Sequence, residues 1–346
     1  MGRCKVDSSN RSFIETCILR HLDNEEISDF YFATGSMPAI RRKDEIYFIE
    51  EKKVTNEDIE YFLGSQCVSI KNIPFDFGIT YNGKRFRCNL DKRWQGWDLT
   101  IRVLPSRIRT LDELLLPKYL YNVMENKHGF VLVCGPTGSG KSTTLASLIN
   151  YVNEKYSKKI IMLEDPIEYI ITEKKSVICQ REIEPGGSFF SGLRFAVRQR
   201  PDIIVVGEIR DHETALVALQ AAETGHLVLS TLHTYSVEQT LTRFVDMFPD
   251  EAKSDIRSSL SATLKAIIVQ RLIRGKSQQI KPACEICFVT RPISQAIRAG
   301  KFQQIKNLML NSEGSIPFEE SLRKLIEGGH ISYEEAEKYI DDKTVL

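Results

Sequence analysis

The segment from Gly135 to Ser142 carries the clearest chemistry in this sequence. It matches the pattern Gly-x-x-x-x-Gly-Lys-Ser/Thr at every fixed position, after an apolar run and before a helical pattern. Glycines let backbone N–H groups curl around phosphate oxygens, and a helix N-terminus adds partial positive charge there. Lys141 is then placed to reach the β- and γ-phosphates and the Ser142 hydroxyl to bind Mg²⁺, so we predict that ATP is bound and hydrolysed here. The residues predicted to hold the nucleotide are Gly135, Pro136, Thr137, Gly138, Ser139, Gly140, Lys141, Ser142 and Thr143.

Two apolar runs end in carboxylates, and this is where P-loop proteins place acids near Mg²⁺ and the attacking water. One run ends in Glu208, and the other ends in Glu164, where Pro166 then stops the strand pattern. A carboxylate near the γ-phosphate can orient and deprotonate water. Acids at strand ends also cap helices or face solvent, so the residues alone leave both interpretations open.

The composition is that of an ordinary globular protein without marked affinity for polyanions. The chain has 346 residues, which at roughly 100–200 residues per domain suggests two domains. Lys plus Arg number 47 and Asp plus Glu 46, so neither nucleic acid nor an anionic membrane is expected as the main partner. We find no signal-peptide layout and no apolar run near the ~18–20 residues of a membrane span. With scattered cysteines read as reduced thiols, we expect a cytoplasmic protein that reaches the membrane only through a partner.

The first hundred residues follow a different pattern from the remainder. Residues 1–105 predict a small α+β domain, with a helix over about 10–22 and a strand at 99–104. The Asn82-Gly83 pair between two alternating runs is a strong hairpin signal.

The remainder of the chain alternates apolar strand-like runs with helical patterns. We predict a linker at 106–112 and a second domain over 113–346 built on a mostly parallel α/β sheet. Apolar residues at helical spacing over 256–272 predict one long amphipathic helix, and residues 290–340 are expected to be largely helical.

Cys284 and Cys287 have a spacing typical of metal ligands, but no second pair follows them. They lie in a predicted strand, where residues three apart point to opposite faces. Because a structural zinc site needs about four ligands, zinc binding is not predicted here.

Four segments together resemble the secretion ATPase superfamily of type II and type IV systems. They are residues 135–142, 163–168, 202–211 and 224–233. Within that superfamily the chain is most similar to the type IV pilus retraction ATPases of the PilT type. That branch is supported by the segments 180–182, 193–198 and 245–249. The similarity runs from about Ser28 to near the C-terminus and is most specific over 130–275.

The resemblance implies a RecA-like ATPase domain preceded by a smaller PAS-like α+β domain, assembled as a hexameric ring. It implies that Glu164 takes the place of the glutamate that polarises water. Glu208 matches the Walker B acid, which with Ser142 serves Mg²⁺. His226 and His233 match the His-box residues that couple γ-phosphate contact to motion, although each alone reads more readily as a structural residue.

Two arginines of the first domain resemble those that reach the phosphates from outside the nucleotide loop. Arg87 and Arg102 lie on two predicted strands. The alternative is ordinary exposed charge, but the planar guanidinium suits phosphate recognition. Together with Lys141, the two histidines and the two glutamates, they complete the predicted catalytic set.

The resemblance implies a cytoplasmic motor that withdraws type IV pili and drives twitching motility, acting on an inner-membrane platform protein. The retraction branch carries the motif Ala-Ile-Arg-Asn-Leu-Ile-Arg-Glu, which aligns with residues 292–299. Ile293, Ile297 and Arg298 match, but the first Arg and the final Glu of the motif are replaced. An ATPase of a type IVB secretion or conjugation system, or of pilus assembly, therefore stays open as an alternative. A DNA translocase is less favoured because the net charge is near neutral. A scaffold with negligible turnover is less favoured because the predicted catalytic acids are present.

Overall fold

Two units make up the fold of this computed structural model, and each has its own sheet. The structure describes residues 11–43, 45–68, 75–105, 107–183, 187–275 and 279–340. The smaller unit comprises Met1–Arg107, Asp165–Ile170 and Glu184–Gly186. The larger unit comprises Ile108–Glu164, Ile171–Ile183 and Gly187–Leu346. None of the described helices is long and apolar enough to cross a membrane.

The smaller unit is an antiparallel sheet of six strands that packs against two helices. The helices are α1 Phe13–His21 and α2 Asn56–Ser65. The strands are β1 Ile27–Ala33, β2 Ala39–Arg42, β3 Glu45–Phe48, β4 Phe75–Tyr81, β5 Lys84–Arg93 and β6 Gly96–Val103. Their order across the sheet is β3-β2-β1-β6-β5-β4. This is the α+β organisation predicted for the N-terminal part of the chain.

Local sequence signals account for the boundaries of these elements. Ser12 and Glu15 form a reciprocal capping box, in which each side chain accepts the backbone N–H of the other. At the predicted hairpin, Asn82 and Gly83 take positive φ values of 48° and 77°, which a tight turn between β4 and β5 requires. The core of the unit then forms where both helices cover one face of the sheet, around Phe30, Phe62 and Phe86 among others.

The larger unit is a seven-stranded sheet with helices on both faces. The strands are β7 Gly129–Cys134, β8 Lys159–Glu164, β9 Val177–Glu182, β10 Ile203–Val206, β11 Leu227–Leu232, β12 Leu264–Arg274 and β13 Ile280–Phe288. Their order is β13-β12-β7-β11-β10-β8-β9, and every neighbouring pair is parallel except β12 with β13. The helices are α3 Lys141–Lys155, α4 Phe189–Val197, α5 His212–Glu223, α6 Val237–Asp246, α7 Lys253–Thr263, α8 Arg291–Arg298, α9 Ile305–Met309, α10 Phe318–Glu327 and α11 Tyr333–Glu337. Short 3-10 helices lie at Lys118–Glu125 and Phe302–Gln304.

The central strands of this sheet are apolar along their whole length because both of their faces are covered. Along β7, Phe130 and Leu132 pack into the core on one face, while Val131 and Val133 pack into the core on the other. Helices α4, α5 and α6 begin at a side-chain cap, whereas α3 begins at Gly140 and α7 at Ala252 without one. The Asp211 side chain accepts the N–H of Thr214 at the start of α5.

The predicted single helix over 256–272 is wrong. Helix α7 ends at Thr263, and the chain continues at once as strand β12 from Leu264. Along β12, Ile267 and Val269 pack on one face of the sheet and Ile268 on the other, which is a period of two. A short apolar run is compatible with the period of a helix and with that of a strand. Here the β-branched residues and the pairing with β7 and β13 favour a strand.

The cysteine pair on β13 is arranged as its spacing predicted. Cys284 packs on one face of the sheet and Cys287 on the other. Burial raises the pKa of the Cys284 thiol to about 12 and also raises the pKa of Cys287. Because the ligands of a metal must point to one ion, thiols on opposite faces of a sheet do not bind a common ion.

Substitution of Phe244 on α6 tests how this helix packs on the sheet. Phe244 is fully buried, and its ring packs edge-on to Phe130 with the ring centroids 5.7 Å apart. We expect Phe244→Ala to lower the free energy of unfolding by about 3–5 kcal/mol, because it leaves a cavity in the core. Denaturant unfolding measures this. Phe195→Ala, at a residue 57% exposed, is the matched control, and an equal loss in both variants would contradict the assigned packing.

Candidate nucleotide-binding site

The predicted nucleotide loop lies between the end of β7 and the start of α3, and its glycines are required by its geometry. Gly135 has φ of 145°, and a Cβ there would lie 2.3 Å from the carbonyl oxygen of Gln270 and 2.4 Å from Ser139 Oγ. Gly138 and Gly140 are left-handed, with φ of 77° and 88°. Such a backbone turns successive N–H groups toward one point and forms a concave anion site.

Lys141 is held within this loop. Its ammonium lies 2.9 Å from the carbonyl oxygens of both Gly135 and Pro136, and the residue is only 9% exposed. The neighbouring Ser139 hydroxyl is buried and has no hydrogen-bond partner among the described residues. Ser142 and Thr143 are half-buried in the first turn of α3, where the first amides of a helix lack intrahelical acceptors. The loop therefore offers several donors to an anion, and the residues present fit a polyphosphate.

The turn after β10 places Glu208 beside the end of β8. The N–H of Gly207 donates to the carbonyl oxygen of Leu163 at 2.8 Å, and a Cβ at Gly207 would lie 3.0 Å from that oxygen. The hydroxyl of Thr231 on β11 donates to the Gly207 carbonyl at 2.6 Å. Ser230 does the same to the carbonyl of Val206 at 2.8 Å. The turn that carries Glu208 is therefore held from both neighbouring strands.

The Glu208 carboxylate contacts two basic side chains. Arg210 forms an ion pair with one carboxylate oxygen, and His233 Nε2 lies 3.3 Å from the other. The side chain of Glu208 is 19% exposed, whereas that of His233 is 41% exposed. His233 follows the end of β11, so the strand that braces the Glu208 turn also presents the histidine that contacts it.

Glu164 is the last residue of β8, and a glutamine on the next strand orients its carboxylate. Gln180 Nε2 donates to Glu164 Oε1 at 2.9 Å, and Gln180 Oε1 accepts the N–H of Ile171 at 2.8 Å. Because Gln180 uses both ends of its amide, its orientation and that of Glu164 are fixed together.

The structure brings together most of the residues predicted for the larger unit. Strands β7, β8, β10 and β11 are parallel, so their carboxyl ends meet at one edge of the sheet. Glu164 is the last residue of β8, and the nucleotide loop, Glu208 and His233 follow the ends of β7, β10 and β11. Ligands of open α/β sheets bind at this edge.

His226 does not belong to this edge. It precedes β11, and the six residues of that strand span about 20 Å at ~3.3 Å each. Its ring Nδ1 lies 3.0 Å from the carbonyl oxygen of Ala221, and its own carbonyl accepts the N–H of Gly129. Within this chain, His226 is therefore a half-buried residue at the opposite edge from the loop.

Arg87 and Arg102 lie directly opposite each other on β5 and β6 of the smaller unit. Arg87 forms an ion pair with Asp76 at 2.8 Å, and Arg102 one with Asp29 at 2.9 Å. Partial burial acts to raise the pKa of Asp76, but hydrogen bonds from Arg87 and Asn89 lower it overall. Both guanidinium groups are thus held by carboxylates, and their role at phosphates stays a prediction.

The supporting polar contacts were not foreseen from the sequence. Gln180 was noted only as part of a branch-specific segment, and the bracing role of Ser230 and Thr231 was missed. The sequence does contain a signal for Ser230 and Thr231. These two hydroxyl residues interrupt the otherwise apolar β11, and buried hydroxyl groups need hydrogen-bond partners.

Comparisons with known proteins identify relatives among secretion-system and pilus proteins. Residues 85–325 match the family model of the type II/IV secretion system proteins. A twitching motility protein of Neisseria gonorrhoeae is 41% identical over 273 residues, which cover 78% of this chain and 73% of that protein. The type IV pilus retraction ATPase PilT of Pseudomonas aeruginosa is 38% identical over 319 residues, covering 89% of this chain and 93% of that protein.

The similarity to one solved structure covers almost the whole chain. The crystal structure of the pilus retraction motor PilT with bound ADP matches with a TM-score of 0.86 at 35% identity, covering 97% of this chain and 99% of that chain. The predicted fold class, a RecA-like ATPase domain with a smaller N-terminal domain, is confirmed by this match. The sequence resemblance stated above is confirmed as well.

Gly135→Ala tests the geometry of the nucleotide loop. The added methyl group would meet the Gln270 carbonyl and Ser139, so the loop must deform. We expect affinity for a fluorescent ATP analogue to fall by at least about tenfold, since each 1.4 kcal/mol of lost contact is one factor of ten. Gly64→Ala, where the same methyl group meets nothing within 4 Å, is the matched control. Equal affinities in the two variants would show that the loop does not bind the nucleotide in this geometry.

Proposed function

This chain belongs to the type II/IV secretion system protein family, and on that premise we propose that it is an ATP-hydrolysing motor that powers retraction of type IV pili. The observation that carries the proposal is the meeting of the nucleotide loop, Glu164, Glu208 and His233 at one sheet edge. The names of the relatives point to the same activity.

The loop residues are suited to bind the polyphosphate. Lys141 is held by two neutral carbonyl oxygens. Phosphate oxygens carry negative charge, so they attract the Lys141 ammonium more strongly than neutral carbonyl oxygens do. We infer that Lys141 exchanges these carbonyls for the β- and γ-phosphates when nucleotide binds, while the loop amides hold the remaining oxygens.

Mg²⁺ would be held by Ser142 at the start of α3 and by Glu208, directly or through water. When bound, it neutralises charge that develops between the β- and γ-phosphates. Arg210 and His233 contact the two oxygens of Glu208, so the position of this carboxylate is restrained.

Glu164 is proposed to orient the attacking water and accept its proton. Gln180 fixes the carboxylate through one oxygen and is itself fixed by the backbone of Ile171. A positioned base of this kind contributes about 10²–10⁴-fold to a rate. Loss of the γ-phosphate is then sensed through His233, which contacts Glu208 and precedes α6.

We further propose that the working form is a homohexameric ring in the cytoplasm that acts on an inner-membrane platform protein. Arg87 and Arg102 would reach phosphates from the smaller unit in that assembly, and His226 would serve the His box there. The same family membership and the retraction-motor relatives support this proposal.

Export by a related secretion or conjugation apparatus is the second candidate, and helix α8 favours it. Of the positions of the retraction motif that match here, Ile293 and Ile297 are buried in the core and Arg298 is exposed. Gln295 and Ala299, which differ from the motif, are exposed, whereas Ala296, which also differs, is buried. Two of the departures therefore change the surface of α8, and a third changes its packing in the core.

Glu164→Gln tests the catalytic assignment in purified protein. The amide keeps the size and the hydrogen bond from Gln180 but is not a base, so we expect kcat for ATP to fall by about 10²–10⁴-fold. Affinity for ATP should change by less than about threefold, because the change acts on the transition state. Glu154→Gln, which removes an exposed carboxylate paired with Lys174, is the control and should retain full turnover. Unchanged kcat in Glu164→Gln would remove Glu164 from the mechanism.

A strain that lacks this gene tests the proposed biological role. We expect more and longer surface pili with loss of twitching, because assembly continues without withdrawal. Complementation with Lys141→Ala should fail, since the variant lacks the phosphate-binding ammonium, whereas the wild-type gene should restore motility. Normal pili and motility together with a defect in export or conjugation would favour the second candidate. Hydrolysis that depends on added DNA would instead favour a translocase.

A further inference from the structure

The segment from His233 to Val237 connects β11 to α6 and carries the histidine that contacts Glu208. Several hydrogen bonds tie it to α6. Arg243 donates to the His233 carbonyl at 2.9 Å, Gln239 accepts the N–H of Tyr235 at 2.7 Å, and the hydroxyls of Thr234 and Thr240 lie 2.6 Å apart. His233 is therefore expected to move with the amino-terminal end of α6.

Two further bonds tie the same segment to the strands β12 and β13. Arg271 on β12 donates to the carbonyl oxygen of Tyr235. Glu285 on β13 accepts the N–H of Val237, the first residue of α6, at 2.8 Å. The second bond joins residues 48 positions apart, so it is a purely tertiary contact.

Glu285 is an unusual group in this position. It is 7% exposed, and a carboxylate taken out of water costs free energy unless it is well paired. Burial is the largest cause that raises the pKa of Glu285, to about 7, while the bond from Val237 acts to lower it. The charged groups that face it are Glu319, which acts to raise the pKa, and Arg271 and Lys306, which act to lower it.

Capping of α6 does not require this carboxylate. Ser236 is already the N-cap residue, and its hydroxyl accepts the N–H of Gln239 at 3.1 Å. Glu285 instead binds the amide of Val237, at the positive end of the helix dipole, from another part of the chain. What it adds is the location of the helix end relative to β13, not the formation of the helix.

We propose that Glu285 is a positioning residue for ATP turnover: by holding the amide of Val237, it sets the segment from His233 to Val237 and with it the contact between His233 and Glu208. The proposal rests on the proposed ATPase function. The buried hydrogen bond from Val237 to Glu285 connects strand β13 to the nucleotide edge of the sheet. The bond from Arg271 to Tyr235 connects strand β12 to the same segment.

Substitutions at Glu285 separate this role from general stability. Glu285→Ala removes the acceptor, and we expect kcat to fall by about tenfold, the rate equivalent of one lost hydrogen bond, with ATP affinity within about twofold of wild type. Glu285→Gln keeps an acceptor of the same reach and should retain more than about a third of the wild-type kcat. Glu285→Asp keeps the charge but is one methylene shorter, so it should be slower than Glu285→Gln.

Ser321→Ala is the matched control. It removes a side-chain acceptor from a backbone N–H of the neighbouring residue on β13, Cys284, at 2.9 Å, and it leaves α6 untouched. We expect its kcat to equal that of wild type. If Glu285→Ala and Ser321→Ala have the same kcat, or if Glu285→Asp is as fast as Glu285→Gln, the proposal is overturned. The second comparison holds even where Glu285→Ala does not fold.

A double-mutant cycle tests whether Glu285 acts through His233. In a His233→Ala background, Glu285→Ala should change kcat by less than about twofold, because coupled residues are not additive. Effects that multiply fully would show that Glu285 acts elsewhere and would overturn the proposal.

Hydrogen exchange separates this proposal from the proposed function. The amides of the first turn of α6 should exchange faster in Glu285→Ala than in wild type or Ser321→Ala, whatever the turnover. If wild-type protein hydrolyses no ATP, the proposed function fails, while the exchange rates still report whether Glu285 holds α6. Unchanged exchange in a folded Glu285→Ala variant would overturn the contact itself.

Discussion

The close approach of backbone at the carboxyl ends of β8 and β10 is the constraint on which the site depends. The N–H of Gly207 donates to the carbonyl oxygen of Leu163, and a Cβ at Gly207 would lie only 3.0 Å from that oxygen. Two hydroxyls of β11 fix the other side of that turn. Because the turn is held on both sides, Glu208 lies at a defined distance from His233. Glu164, at the end of the adjacent strand β8, occupies the next position along the same edge of the sheet.

The polar groups at this edge are organised in pairs that connect different strands. Gln180 connects β9 to the carboxylate that ends β8, and His233 connects β11 to the carboxylate that follows β10. Glu285 extends the same principle to β13 and α6. In each case a buried or half-buried carboxylate is oriented by a neighbour from another element, which keeps the geometry fixed before any nucleotide binds.

Prediction from the sequence succeeded where the signal is local. The loop and the hairpin at Asn82 depend on residues within a few positions of one another. It failed over 256–272, where Leu264, Ile267 and Ile268 suit a helix and a strand equally, and the partner strands decided. The resemblance grouped His226 with His233; within this chain the six-residue strand between them carries the two to opposite edges, and the role of His226 stays a prediction.

The sequence by itself determined the nucleotide loop, the acids at strand ends and the family, because each depends on residue types at short, fixed spacing. Only the tertiary structure decided which carboxylates have partners, since the bonds from Gln180 to Glu164 and from Val237 to Glu285 join residues 16 and 48 positions apart. Such contacts form when strands distant in sequence are placed side by side. The free energy of burying a carboxylate depends on that placement, which no local pattern of residues records.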